Sequence, residues 1–197
     1  MATPSPKHGI CHLSVVPCRA EASDRSELVS QLLFGELFTI TRTDEKWVRI
    51  RAHIDGYESW IDAKQYLPID ATAFEGLTQR PAVCAADLVQ LVKSDRNASL
   101  TPILAGSSLP NYHRGHVAFA DEGFDFDGDI CIPGEGELLD TLVDNAMTFR
   151  NAPYLWGGRS AFGIDCSGLT QVVYKMSGIY LKRDAYQQAE QGHGSVL

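Results

Sequence analysis

Hydrophobic and polar positions change period along the chain. In residues 1–70, Leu37-Phe-Thr-Ile-Thr-Arg and Trp47-Val-Arg-Ile-Arg-Ala alternate at period two, and Tyr57-Glu-Ser-Trp-Ile-Asp follows the turn signal Asp55-Gly56. Short strands joined by tight turns predict a small β-barrel over 1–70. From 75 to 133 the pattern loosens. Val83 to Val92 fits either strand or a short helix, 101–111 is broken by prolines and turn residues, and Gly115-His-Val-Ala-Phe-Ala reads as a strand. The reading is a second, degenerate β-barrel over 75–133. Gly134-Glu-Gly-Glu then reads as a linker, after which Leu138, Leu139, Leu142, Val143, Ala146 and Phe149 fall on one face of a helix ending before Pro153. A third unit, 137–197, starts with this helix. Its second helix carries Leu169, Val172, Val173 and Met176 at the spacing of one buried face, with Asp165 as N-cap and Gly178 as stop. Asp184 with Gln187 three residues on suggests a capping box opening a last helix that ends near Gly192.

Composition narrows the classes of function. With 197 residues, 44% of them hydrophobic, the chain holds enough apolar surface for one or two ordinary domains or three small ones. Lys plus Arg is 17 against 25 Asp plus Glu, a net charge of -8, which argues against nucleic acid or an acidic membrane as partner. No apolar run reaches the roughly eighteen residues of a membrane span. Met1-Ala-Thr-Pro-Ser-Pro-Lys-His lacks the apolar centre of a secretion signal, so the expectation is cytoplasmic; an exported chain with its signal removed has the same appearance. Cysteines at 11, 18, 84, 131 and 166 show no metal-ligand spacing, and their odd number suits a reducing compartment. Cys11, Cys18, Cys84 and Cys131 read as small core residues. The acidic stretch Asp121 to Asp129 lacks the ligand order and flanking helices of an EF-hand, so an exposed acidic hairpin is the reading and no metal is assigned.

The chemistry concentrates at Pro153 to Leu169. Cys166 sits in the first turn of a predicted helix, where unpaired backbone N–H groups and the positive end of the helix dipole favour a thiolate nucleophile. Gly157, Gly158 and Gly163 allow an irregular approach that leaves the thiol at a cleft.

Pro153-Tyr-Leu-Trp-Gly-Gly, Asp165-Cys-Ser-Gly-Leu, Arg183-Asp-Ala and Gln187-Gln-Ala-Glu-Gln-Gly together resemble the NlpC-type cell-wall cysteine peptidases, a papain-like α+β family. Arg19, Leu32 to Gly35, Trp47-Val and Gly56-Tyr-Glu-Ser-Trp-Ile resemble the bacterial SH3-like domain. The implied fold class is α+β: two small N-terminal SH3-like β-barrels, then the helical N-terminal part of a papain-like domain whose C-terminal sheet is missing from these residues. Two SH3-like units resemble the branch that hydrolyses the γ-D-glutamyl–L-diamino acid bond of peptidoglycan stem peptides with a free N-terminal L-alanine, in murein recycling. The resemblance implies Cys166 as nucleophile, Tyr154, Asp165 and Ser167 lining the substrate cleft, and Asp184 binding the free α-amino group. Glu27 and Tyr57 are the positions expected to close the cleft over the alanine end. Ala185 stands where the family often has a serine. No cofactor is implied.

In this family the base histidine lies on strands well beyond the cysteine, whereas His193 is the sole histidine downstream of Cys166 and falls where the family has an ordinary loop. The expectation is a truncated peptidase domain, inactive alone, its sheet and histidine supplied by a missing C-terminal segment, in one form as a second chain. The alternative is a non-catalytic wall-peptide binding or regulatory protein, or an inactive fragment.

Overall fold

A computed structural model describes residues 7–79 and 81–192; His193 lies outside the described residues. Strands β1 (His8–Ile10), β2 (Val15–Arg19), β3 (Leu28–Leu33), β4 (Leu37–Thr43), β5 (Trp47–Ala52), β6 (Glu58–Asp62) and β7 (Leu67–Ile69) form one seven-stranded sheet in the order β3-β2-β6-β5-β4-β1-β7. The period-two segments are β4 and β5, paired antiparallel, with Ile40 opposite Ile50. One apolar core takes Val16 and Cys18 from β2, Leu32 from β3, Phe38 from β4, Val48 and Ile50 from β5 and Ile61 from β6. Strands from one end of the sheet to near the other face the same core, so the sheet curls around it.

A short helix α1 (Ala71–Thr78), not expected from the pattern, follows; Asp70 caps it by accepting from the Ala73 N–H at 2.7 Å. Strands β8 (Val83–Ala85), β9 (Val89–Ser94), β10 (Leu100–Leu104), β11 (Ser108–Leu109), β12 (His116–Phe119), β13 (Glu122–Phe126) and β14 (Ile130–Cys131) come next. They form a four-stranded sheet, β10-β9-β13-β12, and a three-stranded sheet, β11-β8-β14. Val83 to Val92 is therefore strand on both sides of a turn, the β choice of the two left open. The acidic stretch is β13 in a hairpin with β12: Phe124 and Phe126 point into the core and Asp125 points out. That core is shared with the first unit. Phe34 packs edge-on against Phe119 and Phe124 at 5.4 and 5.5 Å between ring centroids, and Ile10, Leu37 and Ile69 join the same cluster.

Helix α2 (Leu138–Thr148), the small hairpin β15 (Arg159–Ser160) and β16 (Gly163–Ile164), helix α3 (Cys166–Met176) and helix α4 (Ala185–Gln191) complete the described chain. In α3 the expected face is inward: Val172, Val173 and Met176 are buried and Leu169 half-buried, packed with Leu33, Cys84 and Ala105 of the preceding units. Gly178 ends α3 at φ +83°. Its N–H donates to the Lys175 carbonyl at 2.8 Å and that of Ile179 to the Tyr174 carbonyl at 2.9 Å, a Schellman closure. The expected single face of α2 is split. Leu142, Ala146 and Phe149 pack against the α3 core, whereas Leu138, Leu139, Val143 and Met147 are 46%, 77%, 60% and 54% exposed. The helix meets its neighbours along one side only, and among the described residues nothing covers the other.

Charged groups bury where the units meet. Glu36, in the turn between β3 and β4, accepts from Arg159 Nη1 and Nη2 at 2.8 and 2.9 Å, from Lys175 Nζ at 2.6 Å and from the Leu33 N–H at 2.9 Å. Lys175 Nζ also donates to the Gly106 carbonyl at 2.7 Å, so one ammonium links all three units. All three side chains are within 2% of full burial. Burial alone would raise the Glu36 pKa, but the two cations and their hydrogen bonds hold it down, from 4.5 to about 2.

Removing one partner leaves buried charge uncompensated, so Glu36→Ala is expected to lower unfolding free energy by about 3–5 kcal/mol in urea melts. Because the folded pKa lies below the unfolded one, the Glu36 contribution is whole above pH 4.5 and lost as pH falls toward about 2. Melts across that window should show a decline that Glu36→Gln lacks.

Candidate active site

Cys166 opens α3 and is the exposed cysteine; Cys11, Cys18 and Cys84 are buried and Cys131 is half-buried. Burial pushes the Cys18 thiol up to about 12 and that of Cys131 up to about 11, and also raises those of Cys11 and Cys84. The four cysteines read as core residues are thus held as thiols.

The helix start is built around Asp165. Its Oδ1 accepts from the Gly168 N–H at 2.6 Å, the N-cap bond, and its Oδ2 accepts from the Gly157 N–H at 2.9 Å, which draws the Trp156–Gly157 segment onto the helix. Gly157 adopts φ +76°, and a Cβ there would lie 2.3 Å from the Leu28 carbonyl oxygen. Only glycine lets this segment lie against β3. Arg183, 1% exposed, completes the cluster: Nη1 and Nη2 donate to the two Asp165 oxygens at 3.1 and 2.7 Å, Nη1 to Ser167 Oγ at 2.9 Å and Nε to Ser30 Oγ of β3 at 3.2 Å. Burial opposes the charged form of Asp165, but hydrogen bonds from Arg183, Gly168 and Gly157 keep its pKa below the ordinary carboxyl value. Gln188 of α4 donates to the Ser167 carbonyl at 2.9 Å, fixing α4, and with it Asp184, beside Cys166.

A cleft of about 500 Å³ opens here. It is lined by Glu27, Val29 and Tyr57 of the first unit, Tyr154, Trp156 and Gly157 of the segment before the hairpin, and Asp165, Cys166, Ser167, Arg183, Asp184, Ala185 and Tyr186. All seven residues singled out from the sequence lie on this one cleft. Trp156 Nε1–H donates to Glu27 Oε1 at 2.6 Å across it. The Tyr57 hydroxyl is pushed up to about 12 by burial and by the charges of Asp184, Asp55 and Glu27, with Arg183 opposing. With Arg183 committed to Asp165, Glu27 and Asp184 leave one end of the cleft negative, and the protonated Tyr57 is a hydrogen-bond donor or acceptor between them. Such an end suits an ammonium group. His8 stacks on Phe74, and His113 and His116 lie in the second unit; among the described residues no histidine lines this cleft.

Residues 18–65 match the bacterial dipeptidyl-peptidase SH3 domain, and residues 151–196 match the NlpC/P60 family. The cysteine-bearing segment is therefore similar to the NlpC/P60 family. The chain is 27% identical over 194 residues to a gamma-D-glutamyl-L-lysine dipeptidyl-peptidase of Bacillus cereus (strain ATCC 10987 / NRS 248), over 86% of this chain and 56% of that protein. It is 25% identical to dipeptidyl-peptidase 6 of Lysinibacillus sphaericus, over 84% of this chain and 68% of that one. The chain thus spans little more than half the length of the Bacillus cereus relative. A crystal structure of an NlpC/P60 family protein from Bacillus cereus ATCC 10987 shares the fold, with a TM-score of 0.79 at 19% identity over 94% of this chain and 77% of that one.

Sequence reasoning passed over Trp156 and Arg183 as individual residues, although both stand inside the quoted motifs. Buried Gln171 and Lys175 were also missed. Their signal was polar residues on the same inward side of α3 as Val172 and Met176; Gln171 Nε2 donates to Asp55 Oδ2 at 2.8 Å. Iodoacetamide on the native protein is expected to modify Cys166 first, Cys131 slowly, and Cys11, Cys18 and Cys84 only after unfolding. Peptide mass mapping over time checks that order.

Proposed function

We propose that this chain supplies the nucleophile and the amine-recognising end of a cysteine peptidase. Its substrate on this reading is the γ-D-glutamyl–L-diamino acid bond of peptidoglycan stem peptides with a free N-terminal L-alanine. The observation that carries the reading is the convergence of Glu27, Tyr57 and Asp184 on the one cleft that holds the one exposed thiol among the described cysteines. The names of the curated relatives, dipeptidyl-peptidases of γ-D-glutamyl-L-lysine, support the bond type.

The Cys166 thiolate attacks the γ-carbonyl carbon and the oxyanion forms beside the N–H groups of the first turn of α3. Collapse breaks the C–N bond, the leaving amine takes a proton from the conjugate acid of the base, and water hydrolyses the thioester to regenerate the thiol. The reading assigns that base to residues outside those described. At the other end the free α-ammonium of L-alanine pairs with Asp184 and Glu27. Acylation or extension there removes the charge and leaves the carboxylates without a partner, so chain ends are selected over chain interiors.

Purified from its source, the protein is expected to release L-alanyl-γ-D-glutamate from L-alanyl-γ-D-glutamyl-L-lysine, followed by mass spectrometry. Cys166→Ala should lower the rate by about 10⁴-fold or more. Asp184→Asn, losing a charge-assisted bond of about 1.5–3 kcal/mol, should raise KM about 10- to 100-fold with a smaller effect on kcat. Unchanged turnover in Cys166→Ala would falsify the reading. Tripeptide bound without turnover, with Cys166 inert to iodoacetamide, assigns a wall-peptide binding role instead.

A further inference from the structure

The residue immediately before the nucleophile is a carboxylate, and that poses an electrostatic problem. Asp165 is needed as N-cap and as anchor for Gly157, yet a negative charge beside Cys166 opposes formation of the thiolate. Arg183 meets both Asp165 oxygens in a bidentate pair, donates also from Nη1 to Ser167 Oγ and from Nε to Ser30 Oγ of β3, and is 1% exposed. A buried bidentate pair cancels the Asp165 charge as seen from the cleft while leaving its acceptor sites on Gly168 and Gly157 in use.

We propose that Arg183 is a positioning residue whose guanidinium compensates Asp165, so that a carboxylate can cap the nucleophile's helix without opposing the thiolate. Through Ser30, β3 of the first unit becomes part of the same support. The inference rests on the reading of Cys166 as the nucleophile. The other titratable groups that line the cleft with Cys166 are Glu27 and Tyr57 from the first unit, Tyr154 from the segment before the hairpin, and Asp184 and Tyr186 from the chain entering α4. They are untouched in the variants below, so their influence is common to every protein compared.

The test is the pH dependence of Cys166 alkylation by iodoacetamide, read by mass spectrometry of its peptide, in four proteins whose folding is checked by near-ultraviolet circular dichroism. Charge compensation predicts shifts of opposite sign. In Arg183→Met the alkylation midpoint rises by about one pH unit, a like charge now standing uncompensated, and the rate at pH 7 falls about tenfold. In Asp165→Asn, which keeps an acceptor for Gly168, the guanidinium is left without its counter-charge on the cleft it shares with Cys166, and the midpoint falls. In the double variant Arg183→Met with Asp165→Asn both charges are gone and the midpoint returns toward that of the unaltered protein. A purely structural role moves all three variants in the same direction, and that result, or no movement at all, overturns the proposal. If Arg183→Met does not fold, the fall in Asp165→Asn and the return in the double variant carry the decision. Alkylation needs no peptide substrate. Opposite shifts without peptide hydrolysis would sink the peptidase reading and leave this one standing, and hydrolysis without the shifts would do the reverse.

Discussion

The structure depends on a carboxylate that has been taken out of water. Glu36 lies among Arg159, Lys175 and the Leu33 N–H, and each partner belongs to a different stretch of chain. Desolvating three charges costs several kcal/mol per ion, and the mutual attraction returns that only in one geometry. The cluster therefore contributes more to specifying how the units sit than to holding them with great strength. What it specifies is the cleft. Arg159 is brought to β3, where its backbone N–H donates to Gln31 Oε1 at 2.7 Å, and Gly157 closes on Leu28. β3 ends the order of its sheet, an edge that would otherwise present unpaired backbone groups. The segment leading to Cys166 covers that edge, so hiding a strand edge and building the cleft wall are one packing event.

The charges on the cleft fall into two kinds. Asp165 is matched by Arg183 in a pair whose side chains are 8% and 2% exposed, so it acts as a shaped set of acceptors with little field of its own. Glu27 and Asp184 have no such cation among the cleft-lining groups, since the one arginine there is committed. The result is a thiol at the start of α3 with an uncompensated negative end across the cleft. A substrate carrying a cation at one terminus has one favourable orientation in such a field, and a neutral terminus loses that preference.

Local features of this arrangement were legible in the chain because local rules control them. Asp165 as N-cap, the Val172–Val173–Met176 face, the Gly178 stop and the alternation in β4 and β5 follow from spacing alone. The motifs around Cys166 carried the family resemblance and, with it, residues as far apart as Glu27 and Asp184. Three features lay beyond that reach. Two half-faces of α2 share the apolar composition of one whole face, and only the position of α3 decides which half is buried. Val83 to Val92 is too short for periodicity to separate strand from helix; pairing with β11, β14, β10 and β13 does so. The Glu36 cluster joins residues with more than a hundred positions between them, and no window along the sequence contains both a charge and its partner.

The remaining question is why the first β unit contributes Glu27 at all, when a carboxylate on a surface turn is ordinarily mobile. Trp156 answers it. Its indole N–H holds Glu27 Oε1 at 2.6 Å, and Trp156 is itself placed by the Gly157 N–H on Asp165. A freely rotating glutamate would lose about 1–2 kcal/mol of side-chain entropy on meeting a ligand; one already held has given that up on folding. The indole engages one carboxylate oxygen of a residue that lines the cleft. The placement of Glu27 and that of the thiol therefore run through the same residue, Asp165, so a disturbance at the helix cap reaches both ends of the cleft.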